Sequence, residues 1–105
     1  MSYNLMIRVK KIEKIENYSI WIRFSNDELR ILNVRELNFN NHNNTFIQKL
    51  FNPEKFPKVS IGNLGQICWS DIAEMKNIDG NVISCEFDMS PEYVYASSIK
   101  YEKHK

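Results

Sequence analysis

Between Tyr18 and Val34, apolar and polar residues alternate on both sides of a short polar break, a pattern that predicts a β-hairpin around which the rest of the chain is arranged. Successive strand side chains point to opposite faces. Tyr18, Ile20, Ile22 and Phe24 therefore fall on one face and Ser19, Trp21, Arg23 and Ser25 on the other. With Asn26-Asp27 as a two-residue turn, Phe24 lies opposite Leu29, Ile22 opposite Ile31, Trp21 opposite Leu32 and Arg23 opposite Arg30. Asn and Asp both tolerate the positive φ that such a turn demands. Burial of Ile20, Ile22, Phe24, Leu29 and Ile31 contributes roughly 2 kcal/mol for each side chain. A lone hairpin cannot realise that gain, so other segments must cover it.

Upstream, Leu5, Ile7 and Val9 alternate with Met6, Arg8 and Lys10, which predicts an opening strand with one apolar and one basic face. The phase slips at Ile12 and Ile15, so a β-bulge is expected between Lys10 and Lys14, followed by a turn at Glu16-Asn17. The basic row also suits an edge strand, because charge discourages pairing with other chains. Downstream, Asn38, Asn40, Asn41, Asn43 and Asn44 around Phe39 and His42 predict a surface loop. Thr45 is expected to cap a short amphipathic helix, with Gln48 completing a capping box and Phe46, Ile47, Leu50 and Phe51 forming the apolar stripe. Asn52-Pro53-Glu54 ends it and starts a further turn through Phe56.

Val59 and Ile61, the turn residues Gly62-Asn63-Leu64-Gly65, and Ile67 and Trp69 predict a second hairpin. The segment from Ser70 to Asn77 fits either a helical turn capped by Ser70 or Asp71 or a continuation of the strand. Asp79-Gly80 marks a turn into a last strand, Val82 through Phe87, and Ser90-Pro91-Glu92 reads as the start of a helical turn through Tyr95. Residues 99–105 are charged, lack partners and are expected to fray. The expected fold is a single α+β domain over residues 5–98. Its mainly antiparallel sheet has about five to six strands built from two hairpins, with one short amphipathic helix and a short C-terminal helical turn.

Composition narrows the functional classes. A chain of 105 residues with 43% hydrophobic and 26% charged residues is an ordinary globular domain, and a net charge of +1 gives no overall drive toward nucleic acid or anionic lipid. Arg8 and Lys10 interrupt the first ten residues and no long apolar run follows. Neither a signal segment nor a membrane span is expected, and a cytoplasmic location is. Cys68 and Cys85 form no Cys-x-x-Cys pair and are expected as buried thiols.

Phe24-Ser25-Asn26-Asp27, then Leu50, Pro53, Phe56, Val59, Gly65, Ile67 and Trp69, then Asp88-Met89-Ser90-Pro91-Glu92 with Tyr95, give the chain from Leu5 to Ser98 an order of motifs. That order resembles the small bacterial domain-of-unknown-function 2442 family. The resemblance implies an α+β domain with a mainly antiparallel sheet, and it implies no activity. Some relatives in that family carry a following helix-turn-helix, which hints at regulation. In the shorter family pattern an Asp-x-Ser/Ala-Pro motif comes soon after the Trp, whereas here Ser70 to Phe87 intervene.

Chemistry is sparse. His42 in the Asn loop and His104 in the tail do not supply converging metal ligands, and the two cysteines have no neighbouring His to activate them as nucleophiles. Glu86, Asp88 and Glu92 gather around the Ser-Pro turn, but Glu92 and Ser90 already have capping roles, and the glycines serve turns. No enzyme, cofactor or metal site is expected. What stands out is a basic, aromatic sheet face: Trp21, Arg23, Arg30 and Leu32, joined by Arg8 and Lys10. Arg23 and Arg30, if directly opposite, are like charges that repel unless Glu13, Glu28 or Glu36, or a bound partner, neutralises them. This face points to a protein-interaction or regulatory module that docks a protein partner or a second copy. The alternative is a nucleic-acid-associated regulator using the same arginines.

Overall fold

A computed structural model describes residues 7–40 and 42–102; the side chains of Ser84 and Cys85 are not described. The predicted strand start at Leu5, Asn41 of the polar loop, the thiol of Cys85 and His104 all lie outside the described residues. The elements in chain order are β1 (Val9–Glu16), β2 (Ser19–Phe24), β3 (Leu29–Asn33), α1 (Asn44–Leu50), β4 (Ser60–Ile61), β5 (Ile67–Lys76), β6 (Val82–Met89), α2 (Pro91–Ser97) and β7 (Ile99–Lys100), with 3-10 turns at Val34–Glu36 and Phe56–Lys58. The fold is α+β with antiparallel pairing, as the alternation predicts. Among the described residues seven strands form two sheets, β1-β2-β3-β7 and β4-β5-β6, rather than one of five to six.

Turn chemistry sets the registers. Asn17 and Tyr18, both at positive φ, make the two-residue turn between β1 and β2, so Tyr18 belongs to the turn and not to the strand. The next three hairpins share another design. Phe24 N–H donates to Glu28 O and Asp27 N–H to Phe24 O; Gly62 pairs in the same way with Gln66 and Gly65, and Asn77 with Asn81 and Gly80. Each is a three-residue loop whose last residue, Asp27, Gly65 or Gly80, takes a left-handed φ.

The loop at Ser25-Asn26-Asp27 corrects the expected register of the central hairpin. One residue longer than the predicted turn, it sets Ile20 opposite Leu32, Trp21 opposite Ile31, Ile22 opposite Arg30 and Arg23 opposite Leu29. A one-residue shift moves every side chain of one strand to the other face. Leu32 is therefore fully buried in the core, and Leu29 and Ile31, expected inside, lie only partly covered on the outer face. The turn is held by Asn26, whose Oδ1 accepts from Glu28 N–H, and by Asp27, whose carbonyl accepts from the Arg23 guanidinium.

The other corrections are local. β1 carries two register shifts, between Val9 and Lys11 and between Ile12 and Lys14, in the region where the phase slip predicts a bulge. Asn43, not Thr45, caps α1 through a 2.8 Å bond from Phe46 N–H to its Oδ1; both residue types cap well, and the helix starts two residues earlier. Ser70 to Lys76 continues β5 as strand. Left-handed Asp71 makes an irregularity between Trp69 and Ala73 that disguises the alternation. Ser90 caps α2 ahead of Pro91 as predicted. The stretch expected to fray instead adds β7, with Arg30 opposite Lys100 and Ile31 opposite Ile99, and Tyr101 N–H donating to Leu29 O.

One buried cluster unites the elements: Ile20, Ile22 and Phe24 from β2, Leu32 from β3, Phe46 and Leu50 from α1, Ile67, Trp69 and Ile72 from β5, Met89 from β6 and Val94 from α2. The buried Trp69 indole N–H donates to Phe56 O at 2.9 Å, and its ring stacks on Phe87. The two sheets meet where Val9 N–H donates to Gly65 O. A Cβ on Gly65 would lie 2.6 Å from Arg8 Cβ, so this approach requires glycine for space as well as for its φ of 77°.

Beyond Ala73, the β5–β6 hairpin runs out into solvent. Met75, Val82 and Ile83 are exposed there, and Ile78 at the tip is 100% exposed. The molecule is correspondingly elongated, 54 × 31 × 22 Å.

Candidate docking surface

The face of β1-β2-β3-β7 turned away from the core carries a row of directly opposed residues, Lys14, Trp21, Ile31 and Ile99, one from each strand. Beside it runs a second row, Lys11, Arg23 and Leu29. Trp21, Ile31 and Leu29 are half-buried among their strand neighbours, and Ile99 is 73% exposed. Period-two alternation accounts for the arrangement: Ile20, Ile22 and Phe24 point into the core, which turns Trp21 and Arg23 outward.

Cations ring this apolar strip, and most are already neutralised. Arg23 pairs with Glu13, Lys14 with Glu16 and Lys10 with Asp27, each at 2.9 Å, and the Lys14 ammonium lies 4.9 Å from the Trp21 ring centroid. The hydrogen bond from Lys10 holds the Asp27 carboxyl below the usual carboxylate range.

Of the six residues singled out from the sequence, only Trp21 and Arg23 share this face as expected, with Lys10 at its turn end. Leu32 is in the core. The Arg8 guanidinium donates to Asn63 O at 2.8 Å and braces the joint between the sheets.

Arg30 lies across from Ile22 rather than Arg23, so the predicted like-charge pair does not form. Its guanidinium instead bonds Ser98 Oγ at 2.8 Å, Ser98 O at 2.8 Å and Glu28 Oε1 at 3.0 Å, and stacks 4.2 Å from the Tyr95 ring centroid. The Tyr95 hydroxyl donates to the same Glu28 oxygen, and that bond first, then Arg30, pulls the Glu28 carboxyl below its ordinary range. Arg30 is thus the clamp that fastens α2 and the start of β7 to β3. Sequence reasoning leaves Leu29, Ile31 and Ile99 off this surface: the signal for Leu29 and Ile31 is the length of the Ser25-Asn26-Asp27 loop, and Ile99, in a two-residue strand, has none.

Elsewhere, chemical groups are dispersed. Cys68 is buried, and desolvation raises its thiol pKa above the ordinary range. Asp88, Ser90 and Glu92, with Arg8, Gln66 and Leu64, border an open groove of about 320 Å³. Among the described residues no three His, Cys, Asp or Glu side chains gather as metal ligands would, and no helix is long and apolar enough to cross a membrane. No family model matches the chain, and neither does any curated protein or solved structure.

Proposed function

We propose that this protein is a non-catalytic interaction module, cytoplasmic and of bacterial type, that docks a protein partner on the outer face of its four-stranded sheet. The observation that carries the reading is the apolar row Trp21, Ile31 and Ile99, which runs across three strands with no other element over it among the described residues and with Ile99 73% exposed. A Trp beside aliphatic residues, rimmed by charge, has the make-up of an interface core and its polar border. Membership of the domain-of-unknown-function 2442 family is proposed with it, on the motifs from Phe24 to Tyr95. The nucleic-acid alternative is disfavoured because Lys10, Lys14 and Arg23 each face a carboxylate of the same chain, leaving less free charge for phosphate.

The test is affinity capture with the full chain, its Ile31→Lys variant and its Trp21→Ala variant, with sedimentation run in parallel to detect self-association. A protein recovered by the parent chain and lost with both variants, with little dependence on salt, supports the reading. Recovery unaffected by either substitution, or binding dominated by nucleic acid with a steep salt dependence, overturns it.

A further inference from the structure

A sheet edge presents unpaired N–H and C=O groups, and proteins usually block such edges with lysines, bulges, shortness or a covering element. β1 has Lys10, Lys11 and Lys14 and two register shifts; β4 and β7 are two residues long. The part of β5 that β4 leaves uncovered is interrupted by left-handed Asp71 and approached by α1 through the Lys49–Glu74 pair. Among the described residues β6 has none of these defences. It is eight residues long, with no lysine, proline or positive φ, and among the described residues its backbone makes no hydrogen bond outside the β5 ladder.

Its side chains specify what would fit. Ile83, Phe87 and Met89 alternate with Val82, Glu86 and Asp88, so one face is apolar and the other ends in two carboxylates that make no ion pair among the described residues. From Asp71 to Glu92 the chain carries six carboxylates against one lysine, although the whole protein has a net charge of +1.

We infer that the free edge of β6 binds an extended, basic peptide segment as an added strand, its alternate residues apolar on one face and Lys or Arg on the other. Main-chain pairing along an eight-residue edge offers about eight hydrogen bonds, from the alternate residues whose backbone groups point outward. The carboxylates of Glu86 and Asp88 select cationic side chains and reject acidic ones. This inference stands independently of the Trp21 face.

The experiment titrates a labelled octapeptide of alternating Val and Lys into the full chain, followed by fluorescence anisotropy and by amide hydrogen exchange. Expected are saturable binding, slowed exchange of alternate amides between Val82 and Met89, and at least tenfold weaker binding with Val-Glu or alternately N-methylated peptide. The Glu86→Lys, Asp88→Lys double variant, at exposed positions, should also lose at least tenfold, and Ile31→Lys should lose nothing. Absence of binding, equal binding of the N-methylated or acidic peptide, or loss of binding with Ile31→Lys overturns the inference. So does a dimer of the parent chain that Glu86→Lys, Asp88→Lys dissolves, since the edge would then belong to a second copy.

Discussion

The β2–β3 and β5–β6 hairpins are closed by the same three-residue loop with a left-handed third residue, yet one lies at the centre of the core and the other projects from it. Identical local grammar therefore says nothing about burial. What separates them is company: β2–β3 is flanked by β1 and β7 and contacted by α2, whereas beyond Glu74, which still pairs with Lys49 of α1, the arm of β5–β6 is strand against strand alone among the described residues. A pair of strands without a third cannot bury its apolar side chains, so Met75 and Ile83, directly opposite each other, remain exposed.

Substitutions can break this contrast. The largest effect is expected for Phe24→Ala, which opens a cavity against Tyr95 in a fully buried site and should cost about 3–5 kcal/mol in urea unfolding. Ile83→Ala on the arm should cost less than about 0.5 kcal/mol by the same measurement. Comparable losses would show that the arm is covered in solution.

The turn glycines sharpen the comparison. Gly65→Ala places a Cβ against Arg8 as well as imposing backbone strain, and should cost toward the upper end of about 1–3 kcal/mol. Gly80→Ala has nothing within 4 Å of the added Cβ and should cost only about 1 kcal/mol of left-handed strain. Equal melting shifts for the two would remove the close contact between the sheets.

The arginines of the central hairpin should also part company. Arg30→Gln breaks charge-assisted bonds to Ser98 and Glu28 at a side chain only 15% exposed, and a loss of about 1–2 kcal/mol is expected. Arg23→Gln removes a half-exposed pair and should cost about 0.5 kcal/mol or less.

The smallest effect is electrostatic. The folded-state pKa values of Glu28 and Asp27 lie below their unfolded ones, so the unfolded chain binds more protons and stability rises with pH through this range. Their contribution is complete above the unfolded values, near pH 4–5, and is lost as pH falls through the lower folded values. Stability measured from pH 6 to pH 3 should show this decline, and Glu28→Gln should make it shallower.

How much of this was legible depended on the length of each pattern. β2, the second hairpin and the Ser90 cap follow from unbroken alternation and capping chemistry, whereas the first strand, expected from the alternation of Leu5 to Lys10, runs from Val9 to Glu16 across the phase slip and excludes Ile7 and Arg8. The register of β3 did not, because two- and three-residue loops differ by one position and Ser25-Asn26-Asp27 contains no glycine to mark the left-handed site. That single residue moved Leu32 and Arg30 off the candidate surface and brought Leu29 and Ile31 onto it. Trp21 and Arg23 survived because parity within one strand is independent of its partner. β7 is too short to carry a period, and its place is set by pairing with β3 and by the Arg30–Ser98 bonds.

The opposed settings of the two tryptophans also divide the protein's optical signal. Trp69, 1% exposed and hydrogen-bonded to Phe56 O, emits from an apolar, shielded site and shifts to the red only when the core opens. Trp21, on the outer sheet face beneath the Lys14 ammonium, is reached by dissolved quenchers in the folded state. Quenching by iodide therefore reports whether that face is covered, while the emission maximum of Trp69 reports whether the chain is folded, both in one cuvette and without a label.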